Sequence, residues 1–230
     1  MSNAVYWLMT MVAIFSPVRS GASDEMYWRL IYMPEIRQVE TVLKALARQT
    51  QVEWPMEGPH LHVLSEFHNA TAMAGGGCYT ESEHAGRTYR VDQQPIIVVT
   101  VGLLHVLRTF AAEKFLKFVM AHEIAHLERR LSAHPTLNCA ADVAEYDNGG
   151  AVKEELRADR RGVEMLCELG EDGVSIGLEG IDVLYRFNLG LKGHRAYPSP
   201  EQRLEQMRSM SCFNFTKARN EEGVSHSTSR

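Results

Sequence analysis

Two histidines four residues apart, with a glutamate beside the first, form the run His122-Glu123-Ile124-Ala125-His126, the residues of this chain best suited to chemistry. On a helix, side chains at i and i+4 lie one above the other on the same face, so both imidazoles can converge on one metal ion. Glu123 stands beside that pair without joining it, free to act as a base on a water held by the metal, the arrangement of a zinc hydrolase. Chance supplies such a pentad in roughly one chain in a hundred of this size, so the reading needs support from other segments.

The elements that must position these residues supply it. Phe115, Leu116, Val119, Met120, Ile124, Leu127 and Leu131 recur at three- and four-residue spacing, which predicts an amphipathic or largely buried helix from Ala112 to about Leu131. A catalytic zinc takes three protein ligands and keeps a fourth position for water, so a third ligand must come from a separate segment. Val152, Leu156, Val163 and Leu166 mark a second helix on which Glu155 and Asp159 share a face. Glu155 is the expected third ligand to one Zn²⁺ per chain. Asp159, one turn on, is expected to accept a hydrogen bond from a ligating imidazole and fix its tautomer. The same segment admits another reading, in which Glu154, Glu155 and Asp159 pair with Arg157, Arg160 and Arg161 on a solvated face; the upstream pentad favours ligation.

The pentad followed by Glu155-x-x-x-Asp159 resembles the gluzincin metallopeptidases that include the CAAX prenyl proteases, HtpX and BepA. Asn69-Ala70-Thr71-Ala72 with Gly75-Gly76 is similar to an Asn-Ala-Phe-Ala…Gly-Gly segment of that family, and Ile96 to Leu104 to its Ile-Tyr-Val-Thr-x-Gly-Leu-Leu strand and turn. Pro198 and Arg203 stand where a late His-Pro-x-x-x-x-Arg motif places them, so the resemblance covers about Ile36 to Met210. It implies a single α+β, zincin-like domain with the active-site helix packed under a small mixed sheet and further C-terminal helices. It also implies zinc-dependent cleavage of a protein or peptide substrate, with His122, His126 and Glu155 on the metal and Glu123 as general base. The sequence departs from the family at Tyr197, which replaces the late-motif histidine that can approach the metal in BepA-type members. Tyr197 offers a hydroxyl to a developing oxyanion, His194 a polar group nearby and Arg203 a partner for a carboxylate near the site; Tyr197 as a packing residue and Arg203 as a solvated one are the alternatives. Two other functions stay open: a catalytically silent zincin-fold binding or assembly factor, and a metal-dependent hydrolase of a non-peptide substrate.

At 230 residues with 45% hydrophobic content the chain can bury one domain's core. A net charge of −5 without a basic stripe excludes nucleic acid as the expected partner. The expected division is an apolar N-terminal segment over 1–22, a metallopeptidase domain over 23–212 and a polar, disordered tail over 213–230. Ala4 to Phe15 is almost unbroken apolar sequence ahead of Ser16-Pro17, with small residues at Ser20-Gly21-Ala22, but no Lys or Arg precedes it. It reads as the apolar core of an export signal or as a buried or membrane-apposed helix, favouring an exported, periplasmic or membrane-associated protein with possible envelope contacts over a cytoplasmic one. Cys78, Cys139, Cys167 and Cys212 form no C-x-x-C pair; two disulfides fit an oxidising compartment, and otherwise Cys167 reads as a small buried hydrophobe. Further helices are expected over Glu35–Gln49, Val174–Phe187 and Glu201–Met210, and strands over Leu61–Phe67 and Ile96–Val101. Gly75 to Gln94 is a candidate rim for an extended peptide, or else a loop without substrate contact. His60, His62, His68 and His84 have no partner at metal spacing.

Overall fold

The computed structural model describes residues 21–54, 58–66, 72–76, 95–110, 112–133, 151–186 and 198–213. The expectations for Ala4–Phe15, Gly77–Gln94, Cys78, Cys139, His68, His84, His194, Tyr197 and the tail from Asn214 lie outside them.

The described elements are α1 (Gly21–Ile31), α2 (Met33–Ala47), β1 (His60–Leu64), β2 (Ala72–Gly76), β3 (Pro95–Thr100), α3 (Val101–Phe110), α4 (Glu113–Ala133), α5 (Ala151–Glu168), α6 (Gly173–Arg186) and α7 (Pro200–Arg208). This is an α+β chain dominated by helices. Its sheet has the order β1-β3-β2, with β1 parallel and β2 antiparallel to β3. Every residue of β3 is buried, as suits a central strand of β-branched residues. Among the described residues, no helix is long and apolar enough to cross a membrane.

The pentad helix α4 is the centre of the molecule. Phe115, Leu116, Phe118, Met120, Ile124 and Leu127 are all fully buried, because α4 meets α2, α5, α6 and the sheet on different sides. A helix apolar on so much of its circumference is stable only when surrounded in this way. Polar groups on it are therefore dehydrated and must find partners.

The approach of α5 to α4 sets the site. Gly162 makes it close: a Cβ there would lie 3.0 Å from the His122 backbone nitrogen and 3.1 Å from the Ala121 carbonyl carbon. Arg161 fastens the same crossing by donating to Glu128 of α4 at 2.7 Å and to the Gln49 carbonyl, beyond α2, at 3.2 Å. α5 ends at Glu168, and just beyond it Gly170, with a φ of 79°, lets the Gly170 and Glu171 N–H groups turn back onto the carbonyls of Cys167 and Leu166.

Several boundaries differ from expectation. The strand expected over Ile96–Val101 stops at Thr100, whose hydroxyl accepts from the Leu103 N–H at 3.3 Å and opens α3, so Gly102, Leu103 and Leu104 are helical rather than a turn. The strand expected to reach Phe67 ends at Leu64. Gly75 and Gly76 belong to edge strand β2, while Gly21 and Ala22 lie in the first turn of α1. Cys167 is buried, but as half of a disulfide with Cys212 rather than as a free hydrophobe. This bond ties the end of α5 to the segment after α7.

Candidate metal centre

α4 presents His122 and His126 on one face, and α5 brings Glu155 against them. The three residues are buried, and one donor atom from each lies within 4.8 Å of the others. His122 Nε2 and His126 Nε2 are 3.0 Å apart; Glu155 Oε2 is 3.2 Å from the first and Oε1 3.5 Å from the second. The spacing of four in the pentad accounts for the first distance. The α4–α5 crossing accounts for the other two.

The outer ring nitrogens decide what the inner ones offer. His122 Nδ1 is 2.8 Å from Asp159 Oδ1, and His126 Nδ1 is 3.3 Å from Glu154 Oε1. An ionised carboxylate only accepts, so each Nδ1 must carry the proton and, in a neutral ring, each Nε2 a lone pair. Two lone pairs and a carboxylate then face one point, which is unfavourable unless positive charge sits there. This set can hold a metal ion.

The metal-free electrostatics express the same demand. Burial opposes a charged His122, but hydrogen bonds to Asp159 and Glu155 outweigh it and push its pKa up to about 10. A proton thus occupies the place of a cation, and metal binding would release it. Burial opposes a charged Glu155 too, by raising its pKa, yet the two imidazoles hold its carboxyl well below the usual carboxylate range. For His126 burial prevails and the pKa falls, which favours the neutral, ligating ring.

Glu123 stays out of the metal set. Its Oε2 accepts from the Ala74 N–H of β2 at 2.6 Å, and burial raises its pKa above the ordinary carboxylate value. The edge of the sheet therefore holds the carboxylate that the sequence singles out as a base.

Asp159, fully buried, bonds His122 as the helical spacing anticipates, and Arg203 grips it from α7. Arg203 Nε donates to Oδ2 at 2.7 Å and Nη2 to Oδ1 at 2.5 Å. Arg203 is 3% exposed, so the alternative of a solvated arginine is overturned. Burial favours protonation of Asp159, but Arg203 and His122 together hold it below the ordinary value. α7 is placed by a capping box in which Ser199 accepts from the Gln202 N–H and Gln202 accepts from the Ser199 N–H, with Pro200 in the first turn.

The solvated-face alternative for α5 holds in part. Of its pairs, Glu154 with Arg157 is present, whereas Arg160 pairs with Glu164 and Arg161 with Glu128 and Glu168. Glu155 and Asp159 instead turn inward. Sequence reasoning missed the contact of Glu154 with His126; its adjacency to Glu155 was the available signal. No protein-family model matches the chain, and neither a curated protein nor a solved structure matches it.

Proposed function

We propose that this protein is a zinc-dependent endopeptidase with a zincin-like domain, in which His122, His126 and Glu155 hold one Zn²⁺. The observation that carries the reading is the convergence of those three buried donors beside a fourth buried group, Glu123, excluded from the set and anchored to a strand edge. Zinc so held would acidify a water and polarise a scissile carbonyl. Glu123 takes the proton of the attacking water and returns it to the leaving amine. Burial raises its pKa above the ordinary carboxylate value in the metal-free site, which makes the carboxylate a better proton acceptor. Asp159, clamped by Arg203, keeps His122 in the ligating tautomer.

A peptide substrate rather than a small ester or amide is favoured by the sheet. β2 pairs with β3 on one side, and its Ala74 N–H points from the other toward Glu123. An extended chain laid along that side would bring its carbonyls past the base, with main-chain groups supplying affinity that does not depend on side-chain identity.

The test is digestion of a peptide library by wild type and Glu123→Gln, with bound zinc measured in both. Retained zinc with hydrolysis lost is the expected result, and a Glu123→Gln protein that cleaves normally refutes the mechanism.

A further inference from the structure

Both imidazoles have a carboxylate behind them, but the two arrangements are built differently. Asp159 is fully buried and held by one arginine from a distant helix. Behind His126 stands Glu154, at the rim of the site, with two arginines. We propose that Glu154 is a positioning residue for His126, and that Arg157 and Arg129 hold it in that role; the proposal rests on the reading of His122, His126 and Glu155 as a zinc site.

Neighbouring residues on a helix point in different directions, and here the difference is used on one ring. Glu155 Oε1 faces His126 Nε2 at 3.5 Å, while Glu154 Oε1 faces Nδ1 at 3.3 Å. The ring is thus held between consecutive residues of α5. Arg157 lies one turn beyond Glu154 and takes its carboxylate with both arms, Nε to Oε2 at 3.0 Å and Nη2 to Oε1 at 2.8 Å. The same Nη2 donates to the Ala125 carbonyl at 2.8 Å, the residue before the ligand on α4. Arg129, one turn past His126, also pairs with Glu154. Glu154 is therefore fixed both to its own helix and to the ligand's helix, on either side of the ligand.

A guanidinium can only donate, so the Glu154 oxygens held by Arg157 and Arg129 serve as acceptors. His126 Nδ1 must then donate, which leaves Nε2 free for metal. Stability is a poor explanation for this cluster. The side chains of Arg129 and Arg157 are 37% and 35% exposed, and ion pairs of that kind contribute little to folding. Orientation of a ligand is the effect that an outer carboxylate delivers even at a rim.

The experiment compares wild type, Glu154→Ala, Glu154→Gln and, as a control, Lys153→Ala on the exposed side of α5. Zinc dissociation constants are measured by competition with a chromophoric chelator, and thermal unfolding is followed in excess chelator. Removing such an outer partner weakens metal binding about 10- to 100-fold, so Glu154→Ala should fall in that range. Glu154→Gln keeps an accepting oxygen and should lose less, and Lys153→Ala should bind as wild type. The metal-free melting temperatures should agree to within about 2–4 °C. Wild-type affinity in Glu154→Ala overturns the proposal, as does a zinc loss matched by a large loss of metal-free stability, which would make Glu154 structural. A folded wild type that takes up no zinc refutes the underlying reading instead, and the proposal with it.

Discussion

Arg203→Met tests the buried end of the site most directly. Asp159 is 0% and Arg203 3% exposed, and the two are joined by bonds of 2.7 and 2.5 Å, so neither charge has water to fall back on. Removing Arg203 breaks a buried ion pair and leaves Asp159 its bond to His122, at a cost of about 3–5 kcal/mol. For a chain of this size that corresponds to a fall of roughly 6–20 °C in Tm. Chelator in excess keeps bound metal from masking the loss. The double variant Arg203→Met/Asp159→Asn removes the buried negative charge while the new amide oxygen can still accept from His122 Nδ1, so it should recover much of the deficit. pH separates the charge from the packing. The folded pKa of Asp159 lies below its unfolded value of about 3.9, so its contribution is present above that value and is lost as pH falls through the folded one. The gap between wild type and Arg203→Met should therefore narrow in acid. A single variant within about 1 kcal/mol of wild type, or a double variant no better than the single, would refute the reasoning.

Added zinc should stabilise the wild type by about 2.7 kcal/mol when free metal is a hundred times its Kd, and should not stabilise Glu155→Ala; parallel melts with and without chelator check this. Gly162→Val should cost about 1–3 kcal/mol by overpacking and also weaken zinc binding, because the new side chain would push α5 off the His122 backbone; denaturant midpoints and chelator competition read the two effects. Gly170→Ala should cost roughly 1–2 kcal/mol through its left-handed backbone and leave zinc affinity unchanged in the same two assays, as nothing lies within 4 Å of its Cβ position. Reducing Cys167–Cys212, which closes a span of 45 residues, should lower unfolding stability by about 4 kcal/mol on the chain-entropy relation, read from denaturant midpoints with thiol titration as the control.

What was legible in the sequence is what a single helix dictates. The pentad and the Glu155–Asp159 pair follow from spacing alone, because residues four apart on a helix must share a face. Elements whose structure depends on a partner were hidden. β2 is made of alanine, methionine and glycine, which have little strand preference overall, and it is a strand because β3 offers a row of backbone partners. α3 was masked by the β-branched run that leads into it, the switch resting on one Thr100 hydroxyl. The Cys167–Cys212 bond needs two segments to meet, which spacing in sequence does not encode.

Glu154 shows the limit most sharply. Its i,i+3 pairing with Arg157 is readable from the sequence and is present. Its contact with His126 exists only because α5 crosses α4 at one depth, set by a missing Cβ at Gly162 and by Arg161 reaching Glu128. The residue types needed for the chemistry are thus local properties of two helices, whereas the accuracy of the site belongs to their crossing. A substitution that leaves every ligand in place but alters that crossing should weaken the metal centre through all three inter-helix contacts at once: Glu155 with both rings, Asp159 with His122, and Glu154 with His126. Loss of Glu154 alone removes just one of them, so Gly162→Val should lower zinc affinity further than Glu154→Ala does, although Gly162 supplies no polar atom to the site.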